Sequence, residues 1–142
     1  MKKLSILFLS VISLGLSVSS CSNDDNDSGS IEGKWELYKV GGTIAGQEIL
    51  VEIPSNVTPC GKDYLEFVKG GVLNDFSFGD SDSDCTKPTE TGVWTKTDNK
   101  LNITYASEFG ADYDILELTN STLKIKEINE DEQYQILLYK RK

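Results

Sequence analysis

The chain has 142 residues, with 14 Lys and Arg against 23 Asp and Glu and no His, a formal charge of −9. That acidity argues against nucleic acid as a partner and against a surface lying flat on anionic headgroups, since both need Lys and Arg to neutralise phosphate. The absence of His removes Ser-His-Asp and Cys-His catalysis and the commonest metal ligand, and the length fits one domain.

The N-terminus opens with Lys2 and Lys3, then an apolar run from Leu4 to Val18 broken only by Ser and Gly. Its fifteen residues fall short of the roughly twenty that a spanning helix needs. Small residues then lead into a cysteine, which is the pattern of a signal peptide. The order Val18-Ser19-Ser20-Cys21 resembles the lipobox of bacterial lipoproteins. The resemblance implies a signal peptide over 1–20, cleavage before Cys21 and a diacylglycerol on the Cys21 thiol. Buried acyl chains at about 0.8 kcal/mol per CH₂ would then hold the protein to a membrane. The alternative is a plain secretory signal with a chance Cys.

Cleavage would leave 122 residues and remove Lys2 and Lys3, so the charge becomes 12 − 23 = −11. Residues 21–30 carry no apolar side chain after Cys21 and form an acidic, flexible tether. A Ser followed by acidic residues directly after that Cys resembles the export signal of surface lipoproteins in one group of Gram-negative bacteria. It implies the outer face of the outer membrane; the periplasmic face is the alternative.

From Ile31 to Lys142 short alternating runs are separated by turn residues, an all-β pattern without an amphipathic helix. Lys34 to Val40 carries Trp35 and Leu37 on one face, and Gly41-Gly42 is expected to end it. Gln47 to Ile53 follows, then a loop bracketed by Pro54 and Pro59. Tyr64 to Lys69 and Val72 to Phe78 flank a Gly70-Gly71 hairpin turn. After the acidic loop Gly79 to Lys87 come Glu90 to Thr97, Lys100 to Ala106, Ala111 to Thr119 and Thr122 to Ile128. The last run, Gln133 to Arg141, is expected to alternate on Tyr134, Ile136 and Leu138. Consecutive hairpins of this kind make a meander, and closing it removes two bare edges. The expected fold is an antiparallel up-and-down β-barrel of about eight strands, able to hold its own side chains or one small ligand.

Glu32-Gly33-Lys34-Trp35 opens the first of these strands. Gly-x-Trp at the head of an eight-strand meander resembles the lipocalin superfamily, and the domain over 31–142 resembles the small lipocalin-like domains of bacterial lipoproteins. The resemblance implies that Gly33 and Trp35 plug the closed end of the barrel and that a basic residue of the last strand lies across the indole. Arg141 is the candidate, for a cation–π contact of about 0.5–2 kcal/mol. Gly92-Val93-Trp94 repeats the pattern and is read as a second structural plug.

With Cys21 taken by lipid, Cys60 and Cys85 remain, and in an oxidising compartment they are expected to pair. The alternative, a reactive thiol pair, lacks Cys-x-x-Cys spacing. Asp80, Asp82 and Asp84 alternate as in the start of a calcium loop, but Cys85 stands where that loop needs Gly and the twelfth position is Thr91. No metal is expected there; if calcium bound, those three would be its ligands. No carboxylate pair is singled out for acid–base work, and Glu117, inside an apolar run, is read as outward-facing.

No catalytic residue and no cofactor are expected, and the chain is expected to be a monomer. The favoured function is binding of a small hydrophobic ligand inside the barrel by Leu65, Phe67, Leu101, Ile103, Tyr105, Leu123 and Ile125. The alternative is a filled barrel that acts as a structural or protein-interaction module of the cell envelope. A cavity of about 300 Å³ or more lined by apolar groups would favour the first, and the lack of one would count against it unless a loop moves.

Overall fold

A computed structural model describes residues 29–54, 58–79, 83–128 and 135–142. The expected signal peptide, Cys21 and the expected tether up to residue 28 lie outside these residues, as do Asp80, Asp82 and Tyr134. Among the described residues there are nine strands and no helix: β1 (Gly33–Ile44), β2 (Gln47–Glu52), β3 (Tyr64–Val68), β4 (Val72–Phe76), β5 (Glu90–Thr97), β6 (Lys100–Tyr105), β7 (Gly110–Leu118), β8 (Thr122–Ile128) and β9 (Ile136–Arg141). From β3 onward each strand pairs with the next, and β1 closes the ring by pairing with both β3 and β9. Eight antiparallel strands thus form a closed barrel, and β2 is attached to β1 alone.

Register decides what lies inside. Trp35 opposes Leu65, Phe67 opposes Leu73, and Trp94 opposes Ile103. Leu101 opposes Tyr113, and Leu123 opposes Tyr139, which in turn opposes Leu37. Because side chains alternate with period two, each such pair fixes the inward face of its strands. The inward apolar residues form one contiguous core. Outward positions carry charge, for example Lys34 beside Glu66 at 3.7 Å and Lys62 beside Glu36 at 3.1 Å. Such exposed pairs add little stability and serve solubility.

Three expectations need correction. Gly41-Gly42 does not end β1, which runs on to Ile44; the turn is Ala45-Gly46, where φ is +50° and +78°. Gly41 serves another purpose, because a Cβ there would collide with the Ile49 carbonyl oxygen. The strand expected to reach Phe78 stops at Phe76. In β9 the inward residues are Leu137 and Tyr139, set by pairing with Ile125 and Leu123, so Ile136 and Leu138 face outward.

Ile136 is nonetheless only 2% exposed. The bare backbone of Gly41 opposes both Ile136 and Leu50, so β2 can curl across it over the outside of β9. Glu48 on β2 reaches Lys124 on β8, two strands away from β1, at 2.5 Å. The hairpin is therefore a flap on the outer wall. Its other face shows Ile44, Ile49 and Val51 to solvent.

Candidate ligand-binding site

The two ends of the barrel are built differently. At the closed end the Trp35 indole is fully buried and its Nε1–H donates to the Ile31 carbonyl at 2.7 Å. The Arg141 guanidinium lies over that ring, 4.2 Å from the centroid. It donates to three carbonyls: Asn120 at 2.6 Å, Glu32 at 2.9 Å and Ser30 at 2.6 Å. Gly33, with φ +128°, makes room, since a Cβ there would meet an Arg141 nitrogen. Arg141 thus joins the chain entering β1, the β7–β8 turn and the end of β9 with one planar group. Trp94 closes the neighbouring gap. Its Nε1–H is shared between the Val68 and Val72 carbonyls at 3.1 and 3.0 Å, and its ring meets Phe67 edge-on at 5.7 Å.

The opposite end is open. A cavity of about 220 Å³ occupies the mouth half of the lumen. Its floor is Leu65, Ile103 and Ile125, and Leu37 and Leu137 form a side wall. The remaining lining is Tyr64 at the rim and a polar set: Asp63, Asp75, Ser77 and the rings of Tyr105, Tyr113 and Tyr139. The Cys60–Cys85 disulfide, with an S–S distance of 2.02 Å, ties the loop before β3 to the loop after β4 at this end. A larger hollow of about 320 Å³ lies against Thr91, Val93 and Thr104. These residues face away from the lumen, so it is a surface groove outside the barrel.

Asp75 is the unusual member of the lining. It opposes Leu65 and Glu90, at an inward position where the same strand places Leu73. The Tyr105 hydroxyl donates to its Oδ2 at 3.1 Å and the Ser77 hydroxyl to its Oδ1 at 2.8 Å. Burial raises its pKa above the ordinary 3.8, with Asp63 and Glu90 pushing the same way against the two hydrogen bonds. Burial also pushes the Tyr113 phenol up to about 12 and raises Tyr105 and Tyr139 further. All three phenols are therefore neutral at physiological pH.

A raised carboxylate pKa means that the native state favours the protonated form. The stabilisation from Asp75 is complete below 3.8 and is lost as pH rises through the native value. Asp75→Asn removes the charge and keeps a partner for both hydroxyls. The variant is expected to melt above the parent at pH 7, with the gap narrowing as pH falls towards 3.8. A pH series of thermal melts checks this, and a lower Tm for the variant at pH 7 would contradict it.

The residues expected to contact ligand divide between the two ends. Leu65, Ile103, Tyr105 and Ile125 line the cavity. Phe67, Leu101 and Leu123 lie in the packed core and do not border it. Asp75, Tyr113 and Tyr139 were not among the expected ligand contacts. Their signal in the sequence was inward parity, Asp75 two residues after Leu73 and Tyr139 opposite Leu123. In the acidic loop Asp84 takes hydrogen bonds from the Thr86 hydroxyl and amide and pairs with Lys87 at 3.3 Å. Those bonds, the Thr86 hydroxyl first, hold its pKa below the ordinary range. Among the described residues no group of three acidic, Cys or His side chains is placed to hold a metal ion.

With this geometry in place, comparisons with known proteins fall in one direction. The sequence model of a family described as a lipocalin-like domain matches residues 31–125. Among solved structures, a lipocalin-like protein from Bacteroides uniformis superposes with a TM-score of 0.55 at 14% identity, covering 80% of this chain and 100% of that one. An uncharacterized protein from Bacteroides eggerthii gives a TM-score of 0.52 at 14% identity with the same coverage. At that identity the likeness is one of fold. No curated protein matches.

Proposed function

The chain belongs to the lipocalin-like domain family, and from that premise we propose that it is a lipid-anchored protein that binds one small ligand in the mouth of its barrel and has no catalytic activity. The observation that carries the reading is the asymmetry of the lumen. One half is packed around Trp35, while the other keeps about 220 Å³ open. Protein interiors pack closely, so a void of this size bordered by convergent polar groups is a site rather than a packing fault. It falls short of the roughly 300 Å³ set above for a drug-sized apolar ligand, so the reading is confined to a smaller ligand that uses the polar lining. Members of the family are generally binding proteins.

The anchor rests on the sequence alone. Val18-Ser19-Ser20-Cys21 closes an export signal, and the acidic stretch after it favours the outer face of the outer membrane. Cys21→Ser is expected to move the protein from the membrane fraction to a soluble one. Protease added to intact cells is expected to degrade the anchored form. Protection from protease would place it on the periplasmic face, and unchanged membrane retention of the variant would remove the lipid from the account.

Leu137→Trp tests the cavity by filling it from a half-buried wall position. Small molecules that raise the parent's Tm are expected to leave the variant's Tm unchanged. Equal shifts in both would move the site elsewhere. One observation favours a second reading, a module that binds another envelope protein: the exposed strip of Ile44, Ile49 and Val51 on the β1–β2 flap.

A further inference from the structure

The mouth cavity contains groups that a purely apolar ligand would leave unpaired. Tyr139 is 6% exposed and borders the cavity, and among the described residues its hydroxyl has no hydrogen-bond partner. The Tyr113 hydroxyl, half-buried two strands away on β7, likewise has no partner among the described residues. Buried hydroxyls without partners are uncommon, because leaving water without a replacement bond is costly. Something that enters the cavity is the available partner.

Charge in the same place has one sign. Asp75 and Asp63 line the cavity, and Glu90 acts on Asp75 from β5. Among the described residues Asp75 has no Lys or Arg partner. Lys34 pairs with Glu66, Lys62 with Glu36 and Lys100 with Asp114, all on the outer wall, and Arg141 is committed to the closed end. The Tyr105, Tyr113 and Tyr139 rings add the negative faces that attract a cation. A bare metal ion fits poorly, since among the described residues no three acidic, Cys or His side chains converge and the floor is apolar.

We propose that the cavity takes a small organic ammonium compound, with its N–H groups on Asp75 and the tyrosine hydroxyls and its apolar body against Leu65, Ile103 and Ile125. The proposal rests on the barrel being a binding protein and names the class of its ligand. A carboxylate ligand would enter against Asp63, Asp75 and Glu90. A neutral ligand would leave Asp75 desolvated without a counter-charge. A cation relieves that cost and gives Tyr139 its missing partner.

The test uses the full chain and three probes of nearly equal size: phenethylamine, 2-phenylethanol and phenylacetate, titrated by calorimetry at pH 7. The amine is expected to bind at least about tenfold more tightly than the alcohol, the ratio set by one charge-assisted hydrogen bond. Phenylacetate is expected not to bind. Asp75→Asn, expected to fold and to melt higher, should bring the amine down to the level of the alcohol. Tyr139→Phe keeps the ring and should weaken the amine several-fold. Equal or tighter binding of the alcohol or phenylacetate would overturn the ammonium proposal while leaving a ligand-binding barrel. Unchanged amine affinity in Asp75→Asn would do the same. Failure of all three probes overturns the proposal too, and whether the barrel binds anything is then decided by the mass of what it carries from the cell.

Discussion

Trp35→Ala is expected to lower the free energy of unfolding by about 3–5 kcal/mol, the range for deleting a buried aromatic ring from a packed core. Trp35 is fully buried, so the whole indole volume becomes a cavity. The loss also takes the Nε1–H bond to Ile31 and the surface on which Arg141 rests, 4.2 Å from the ring. A domain of this size has about 5–15 kcal/mol in total, so the change removes a large part of it. Trp35→Phe should cost less, because the ring remains under the guanidinium. Urea titration followed by far-UV circular dichroism measures both. A cost below about 1 kcal/mol for the alanine variant would mean that the closed end is held by something other than this stack.

The second large effect is expected from the double variant Cys60→Ser with Cys85→Ser. The bond closes a loop with a sequence separation of 25 that contains β3 and β4. Chain entropy alone assigns such a loop about 3.5 kcal/mol. The double variant avoids leaving one reactive thiol. The loss should be felt first at the mouth, where both cysteines sit. Hydrogen exchange is expected to quicken at 58–63 and 77–79 before it does around Trp35. Equal acceleration at both ends would show that the bond acts on the whole barrel at once. No loss of stability would mean that the unfolded chain gains little freedom when the loop opens.

Local patterns decided which parts of this molecule could be foreseen. Leu101-x-Ile103 and Leu123-x-Ile125 fix inward faces by alternation alone, and tight turns such as Gly70-Gly71 leave few ways to connect strands. Closure into a barrel followed, as did the bond between Cys60 and Cys85. Gly33, Trp35 and Arg141 meet as the family resemblance implies. Glu117 does face outward, opposite Lys124, after a bulge that shifts register beyond Ile115.

Features that depend on pairing between distant strands were not legible. A pair of glycines commonly breaks a strand, yet Gly41 continues β1 because the missing Cβ lets β2 pass close. Ile136 and Leu138 look inward by hydropathy, but the register with Leu123 and Ile125 assigns the lumen to Leu137 and Tyr139. Ile136 is buried and Leu138 half-buried although both face outward, beside the β1–β2 flap that no local rule places there. The cavity was hidden for a related reason. Whether large inward side chains fill a barrel depends on where each rotamer points, and the polar lining is assembled from strands far apart in sequence. Asp75, Tyr105 and Tyr139 come from β4, β6 and β9.

The claim on which the rest depends is that the mouth of the barrel carries a small ligand. Native mass spectrometry of the full protein, isolated from the cells that make it, tests this most directly. The expected result is an added mass of one to a few hundred daltons that leaves on denaturation, while any covalent lipid stays. The Leu137→Trp variant should lack it. A single apo mass from parent and variant alike, with no small molecule raising the parent's Tm, would contradict the account and leave the barrel as a scaffold for its outer surface.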